Sequence, residues 1–371
     1  MIGQSAAIPA AGQRSTRRIR KVRVGRKRHP VSTGSGGDRR QGYQAAIIGS
    51  GYAIIGSGYD RAMPTRRRLL AAAAALPLAN AATGRTAADD PPAVGQDAID
   101  QTPVDQALVV RHSVVPWCFR DTHDVPQLAQ AARQLGIRSV ELCDPKHWPM
   151  LKSLGMTCAI AGSHGFRLGP AHRQAWDRCR QSLTQRIDQC REAGVERVIS
   201  FIGMAEQDGR TVDRATALGN AEAFFAELMP VAEAAGVTVC IEMLNSRDDS
   251  HPMKGHPGYL GDDIDEVAAL CRRVDSPRLR LLFDIYHVQI MHGDLIRRVR
   301  EHADLIGHVH TAGNPGRGEL SADQEIQYRP VIAALMETGY DGFVGHEFIP
   351  TADPLAGLAE AVRVCSLNVV E

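Results

Sequence analysis

From about residue 107 onward, short apolar runs alternate with longer stretches of helical period, and the rhythm holds to the end of the chain. The apolar runs predict strands at 108–115, 138–143, 156–161, 196–202, 237–243, 279–284, 305–310 and 342–347. Helical patterns fall at 125–135, 172–193, 213–235, 262–274, 294–302, 328–338 and 355–366, with a short run around 147–153. Strands that are apolar throughout, rather than alternating, belong to a parallel sheet covered on both faces. Gly136, Gly155, Gly194, Gly236 and Gly339 each stand between a helical pattern and the next strand, where a left-handed C-cap is expected. Eight β/α units over 107–371 predict a single-domain α/β fold, a (β/α)8 TIM barrel. A doubly wound open sheet is the alternative.

The first hundred residues follow no such rhythm. Residues 1–62 are rich in Arg, Gly and Ser, and AIIGSGY at 46–52 is repeated at 53–59. No strand-to-helix context follows these glycines, so they do not make a dinucleotide loop. The segment reads as disorder or as upstream sequence from a start codon placed too early, and the second reading is preferred. Met63 then opens MPTRRRLLAAAAALPLANA, with a basic stretch Arg66 to Arg68, an apolar run Leu69 to Leu78 and a small-residue site at Ala79-Asn80-Ala81. That is the anatomy of a signal peptide over 63–81, and its paired arginines resemble a twin-arginine export signal. The expectation is a periplasmic or exported protein if Met63 is the true start, and a cytoplasmic one otherwise. Residues 82–106, rich in Ala, Asp and Pro, read as a linker.

Charge sharpens this division. The net charge of +1 conceals ten Arg and two Lys against two Asp in residues 1–62, and 27 basic against 40 acidic residues from Ala88 to the end. A folded body carrying −13 by this count lacks the electrostatic footprint of a nucleic-acid binder. Eight cysteines, none in a CxxC pair, read as small buried hydrophobes rather than a zinc or redox motif.

The chemistry gathers at strand ends. LLFDIYHVQIMHGD at 281–294 is an apolar run that stops on Asp284, and three more runs stop on Glu242, His310 and Glu347. In a (β/α)8 barrel the carboxyl ends of all strands converge on one face, so strands 5 to 8 would aim three carboxylates and one imidazole at a common centre. Without a cation such a group repels itself and takes up protons; the donor set suits Mn²⁺, Mg²⁺, Co²⁺ or Zn²⁺. Asn245 and Arg247 follow Glu242, His287 follows Asp284, and Arg317 lies in the Gly/Pro-rich loop after His310. These four are candidate substrate contacts, Arg317 as a bidentate partner for a carboxylate. Lys254, His256, His164 and Trp117 are weaker candidates around the same face, whereas His346 should point away from Glu347 by alternation.

These residues also carry a resemblance. Glu242-x-x-Asn245, DIYHVQIMHGD at 284–294, GHVHTAGNPGR at 307–317 and GFVGHEFIP at 342–350 resemble the hydroxypyruvate isomerase family of the xylose-isomerase-like barrels, which also include ketose 3-epimerases and endonuclease IV. The resemblance covers 108–371. It implies that Glu242 and Glu347 are an acid/base pair and also metal ligands, that Asp284 and His310 complete a divalent metal site, and that His287 and Arg317 touch substrate. Some hydroxypyruvate isomerases carry Gln where His310 stands and need no added metal, so His310 places this chain with the metal-dependent relatives.

The expected reaction interconverts an α-hydroxy ketone and an aldehyde. One carboxylate takes a carbon-bound proton, the other in its acid form gives one to the neighbouring carbon, and a cation stabilises the cis-enediolate between them. Expected partners are a small hydroxy-keto acid or keto-sugar, no nucleic acid, and no membrane once the signal is removed; a homo-oligomer is compatible with the sequence. The rivals are a keto-sugar 3-epimerase on the same ligands and a catalytically silent periplasmic sugar-acid binder, which would not exchange substrate protons with solvent.

Overall fold

The structure is a computed structural model that describes residues 109–367. The upstream segment 1–62, the signal-like stretch 63–81 and the linker 82–106 lie outside the described residues.

Seven parallel strands form the main sheet: β1 (Arg111–Val114), β2 (Ser139–Val140), β3 (Arg197–Ser200), β6 (Thr238–Glu242), β7 (Leu279–Asp284), β8 (Ile306–Thr311) and β9 (Phe343–His346). Their order is β2-β1-β9-β8-β7-β6-β3. The ring closes between β2 and β3 through the segment predicted as the third strand, by parallel bridges from Ser139 to Thr157 and from Ala161 to Val198. Leu142 N–H donates to the Ile160 carbonyl at 2.9 Å and Ile199 N–H to the Ala161 carbonyl at 2.9 Å across the two joints. The fold is therefore a closed barrel, not the doubly wound alternative, with its third strand reduced to a seam. A short hairpin, β4 (Glu206–Gln207) and β5 (Arg210–Thr211), turns at Asp208-Gly209, where both φ angles are positive.

Around the ring run α1 (Val125–Gln134), α2 (Trp148–Ser153), α3 (Trp176–Ala193), α4 (Arg214–Ala235), α5 (Ile264–Val274), α6 (Ile285–Met291), α7 (Leu295–Glu301), α8 (Tyr328–Glu337) and α9 (Pro354–Cys365). Their starts are set locally. Asp124 and Gln127 form a capping box on α1, and the carboxylates of Asp213, Asp263 and Asp353 accept first-turn N–H groups of α4, α5 and α9. The five glycines expected at helix ends take φ between +69° and +84°. Helix α6 was not expected from the sequence. It begins directly on Asp284, whose side chain caps it by accepting the His287 N–H at 3.2 Å. No helix among the described residues is long and apolar enough to cross a membrane. All eight cysteines are free, and seven of them are buried.

Register places the chemistry. Asp284 pairs with His310, and His310 with Gly345, so these positions share one layer of the barrel interior. Tyr259, in the loop after β6, ties the layer above together: its hydroxyl donates to the Glu242 carbonyl at 2.8 Å and accepts the Ile202 N–H at 3.0 Å. Tyr259 is 1% exposed, so Tyr259→Phe strands both backbone groups away from water. The expected cost is about 1–3 kcal/mol, read from chemical denaturation. A variant as stable as the parent would mean that the bridge adds nothing.

Candidate active site

Glu242 ends β6, Asp284 ends β7, His310 lies in β8, and Glu347 follows β9. The structure brings one ligand atom from each within 4.8 Å of the others, all four residues buried. His310 Nδ1 is the hub, 3.3 Å from Glu242 Oε1 and 3.0 Å from Glu347 Oε2. Asp284 divides its carboxylate: Oδ1 caps α6, while Oδ2 is buried without a hydrogen-bond partner. An orphaned carboxylate oxygen facing two more carboxylates and an imidazole is a donor set that fits a hard or borderline divalent cation. Glu242, Asp284, His310 and Glu347 would hold it.

In the protein alone, two cationic groups answer the three carboxylates. Arg317, 2% exposed, pairs one amino group with Glu347 and also lies 3.7 Å from Asp284 Oδ2, while its other amino group donates to the Met253 carbonyl. Trp117 Nε1–H donates to Glu347 Oε1 at 2.8 Å. Burial works against the Glu347 charge, but Arg317 and His310 outweigh it and hold the carboxyl down, at about 2. Glu242 has no such guanidinium; burial, with help from the nearby Glu347 charge, pushes it up to about 7. Burial alone would depress His310, yet the surrounding carboxylates hold it well above the usual imidazole range.

His287 stands beside this group as a neutral donor. Burial, reinforced by Arg317, drives its pKa well below the usual value. The Asn245 backbone N–H donates to His287 Nδ1 at 3.0 Å, which leaves the ring proton on Nε2. That Nε2 is buried, has no hydrogen-bond partner, and lies 3.7 Å from Asp284 Oδ2. Asn245 acts through His287 and the loop: its side-chain amide also donates to the Lys254 carbonyl at 2.8 Å.

A cavity of about 220 Å³ opens on Glu242, Glu347 and Arg317. Besides these charged residues its lining includes the apolar side chains of Leu142, Phe166, Ile199, Phe201, Leu244 and Met253. His256 lines it beside Phe166, ring centroids 4.1 Å apart. His164 also lines it, but its ring already meets the Leu168 carbonyl at 2.7 Å and Ser200 Oγ at 3.1 Å. Trp117 forms part of the wall, as the sequence suggested. Arg247 does not join them: it is exposed and donates to the Ile290 carbonyl at 2.9 Å. It follows the buried Asn245 by two residues, but the chain leaves the barrel mouth between them. Lys254 offers its carbonyl, rather than its amine, to the Asn245 and Tyr286 side chains. His346 faces away, between His112 and Thr311.

Sequence reasoning missed Glu141 and His308. Both are fully buried, and Glu141 Oε1 lies 3.0 Å from His310 Nε2 while its Oε2 lies 3.0 Å from His308 Nε2. The available signal was an acid in the middle of an apolar run, VEL, which no strand buries without a partner.

A closed parallel barrel with carboxylates and an imidazole from consecutive strand ends defines a class of enzyme-bearing scaffold. Residues 129–366 match the model of the xylose isomerase-like TIM barrel family, and the chain belongs to that family. A human protein provisionally named hydroxypyruvate isomerase is 30% identical over 245 residues, covering 66% of this chain and 81% of the relative. The 2-oxo-tetronate isomerase of Cupriavidus necator is 34% identical over 245 residues, covering 62% of this chain and 88% of the relative. Among solved structures, a family 2 AP endonuclease from Brucella melitensis is similar with a TM-score of 0.58 at 23% identity, over 67% of this chain and 97% of that one. A D-psicose 3-epimerase from Clostridium cellulolyticum H10 is similar with a TM-score of 0.55 at 18% identity, over 71% of this chain and 93% of that one. The last two establish the fold alone. The homologues' names support an isomerase.

Proposed function

We propose that this chain is a hydroxypyruvate isomerase-like enzyme that moves a carbonyl between adjacent carbons of a small hydroxy-keto acid. The observation that carries the reading is the Glu242–His310–Glu347 arrangement, two carboxylates that line one cavity and lie within 3.3 Å of one imidazole nitrogen. One glutamate takes the carbon-bound proton and the other returns a proton to the neighbouring carbon. Trp117 and Arg317 fix the Glu347 carboxylate in place for this. His287 Nε2–H is free to donate to a substrate oxygen. The apolar part of the lining shields the reacting carbons from water. A divalent cation, when bound, polarises the carbonyl and offsets the negative charge that develops on the substrate oxygens.

The test is NMR of hydroxypyruvate in D₂O with Mn²⁺-loaded and chelator-treated protein. Exchange at the substrate carbons that falls at least tenfold with chelator supports the proposal. Cation binding without exchange moves the substrate to a keto-sugar and the reaction to 3-epimerisation. Neither binding nor exchange supports the silent binder.

Export belongs to the same proposal. Residues 63–81 fused to a reporter that is active only after export should deliver it, and replacing Arg66 and Arg67 by Lys should abolish delivery. Delivery unaffected by those changes would remove the twin-arginine reading.

A further inference from the structure

The ligand face of His310 is only half of its surroundings. Its other ring nitrogen, Nε2, lies 3.0 Å from Oε1 of Glu141, a residue directly after β2 that is 0% exposed. The second oxygen of Glu141 lies 3.0 Å from Nε2 of His308, two positions before His310 on the same strand. These two imidazoles are the only ion-pair partners of the Glu141 carboxylate among the described residues. The barrel makes room for it: a Cβ on Gly345 would stand 1.9 Å from Glu141 Oε1 and 2.9 Å from both Glu141 Cδ and His310 Cδ2. Position 345 therefore has to be glycine for Glu141 to reach His310.

We infer that Glu141 is a positioning residue for the cation site: it holds the ring of His310 with Nε2 turned toward Glu141, so that Nδ1 faces Glu242 and Glu347. A carboxylate behind a ligating imidazole fixes both its tautomer and its rotation, and loss of such a partner weakens metal binding by roughly 10–100-fold. His308 faces the far oxygen at 3.0 Å, an ion-pair contact on the other side of the same carboxylate. The inference rests on the four-ligand reading of the site.

The experiment titrates Mn²⁺ into the metal-free full chain, read by the EPR signal of free Mn²⁺, with thermal unfolding of each metal-free variant alongside. Glu141→Gln should raise the Mn²⁺ Kd roughly 10–100-fold. Glu141→Asp, which keeps the charge but withdraws the carboxylate, should do the same and covers the case in which Glu141→Gln fails to fold. The deciding comparison is a double-mutant cycle. If Glu141 acts through His310, its replacement should change the Kd less than twofold in a His310→Gln background. A purely structural role would cost the same factor in both backgrounds and would overturn the inference, as would an unchanged Kd in both Glu141 variants. Parent protein that binds no Mn²⁺ would overturn the four-ligand reading itself, a different failure.

Discussion

Glu242→Gln and Glu347→Gln are each expected to lower kcat by roughly 10²–10⁴-fold, the contribution of a positioned acid or base to proton transfer. Gln matches Glu in shape, so the cavity is preserved while the capacity to exchange a proton is lost. The two variants should differ in stability. Glu347 accepts from Trp117 Nε1 and pairs with the buried Arg317, so its replacement leaves a guanidinium without its main partner. Glu242, which burial pushes toward its neutral form, tolerates an amide more easily. The double variant should be little slower than the worse single one, because the two groups act as a unit in one reaction. Isotope exchange in D₂O and thermal unfolding measure the two effects separately. Turnover at the parent rate in both single variants would end the assignment.

Arg317→Met is expected to destabilise the metal-free protein by about 3–5 kcal/mol, as measured by chemical denaturation. Methionine replaces much of the stem but leaves Glu347 and Asp284 buried beside Glu242 with no guanidinium among them. Bound Mn²⁺ should recover a large part of the loss, since a cation among the same carboxylates restores the missing charge. Arg317→Lys should be intermediate, because an ammonium cannot reach Glu347 and the Met253 carbonyl with two separate amino groups. A metal-free Arg317→Met protein within about 1 kcal/mol of the parent would show that the pair does not organise the site.

Much of this was legible in the chain. The run Leu279–Asp284 is bounded as the apolar pattern predicts, and the convergence of Asp284, His310 and the two glutamates follows from strand ends in a closed parallel barrel. What escaped notice depends on contacts distant in sequence. Glu141 lies within an apolar run and finds its partners 167 and 169 residues later, at His308 and His310. Arg317 reads as a bidentate partner for a substrate carboxylate, and only the fold shows it buried and paired with Glu347. The third strand has the apolar content of its neighbours but makes only two bridges, because pairing depends on register as well as composition. Helix α6 was hidden because an apolar run straight after a strand carries no break, and its one start signal, Asp284, was read for its chemistry alone.

That double reading of Asp284 has an evolutionary consequence. One oxygen serves the architecture by capping α6, and the other faces the reacting centre without a hydrogen-bond partner, 3.7 Å from Arg317. An amide keeps the first role and gives up the charge needed for the second. Descendants of this chain that abandoned catalysis while keeping the barrel would be expected to settle on Asn at 284, not on Ala or Val. The identity of that single position would then distinguish working lineages from retired ones before any assay is run.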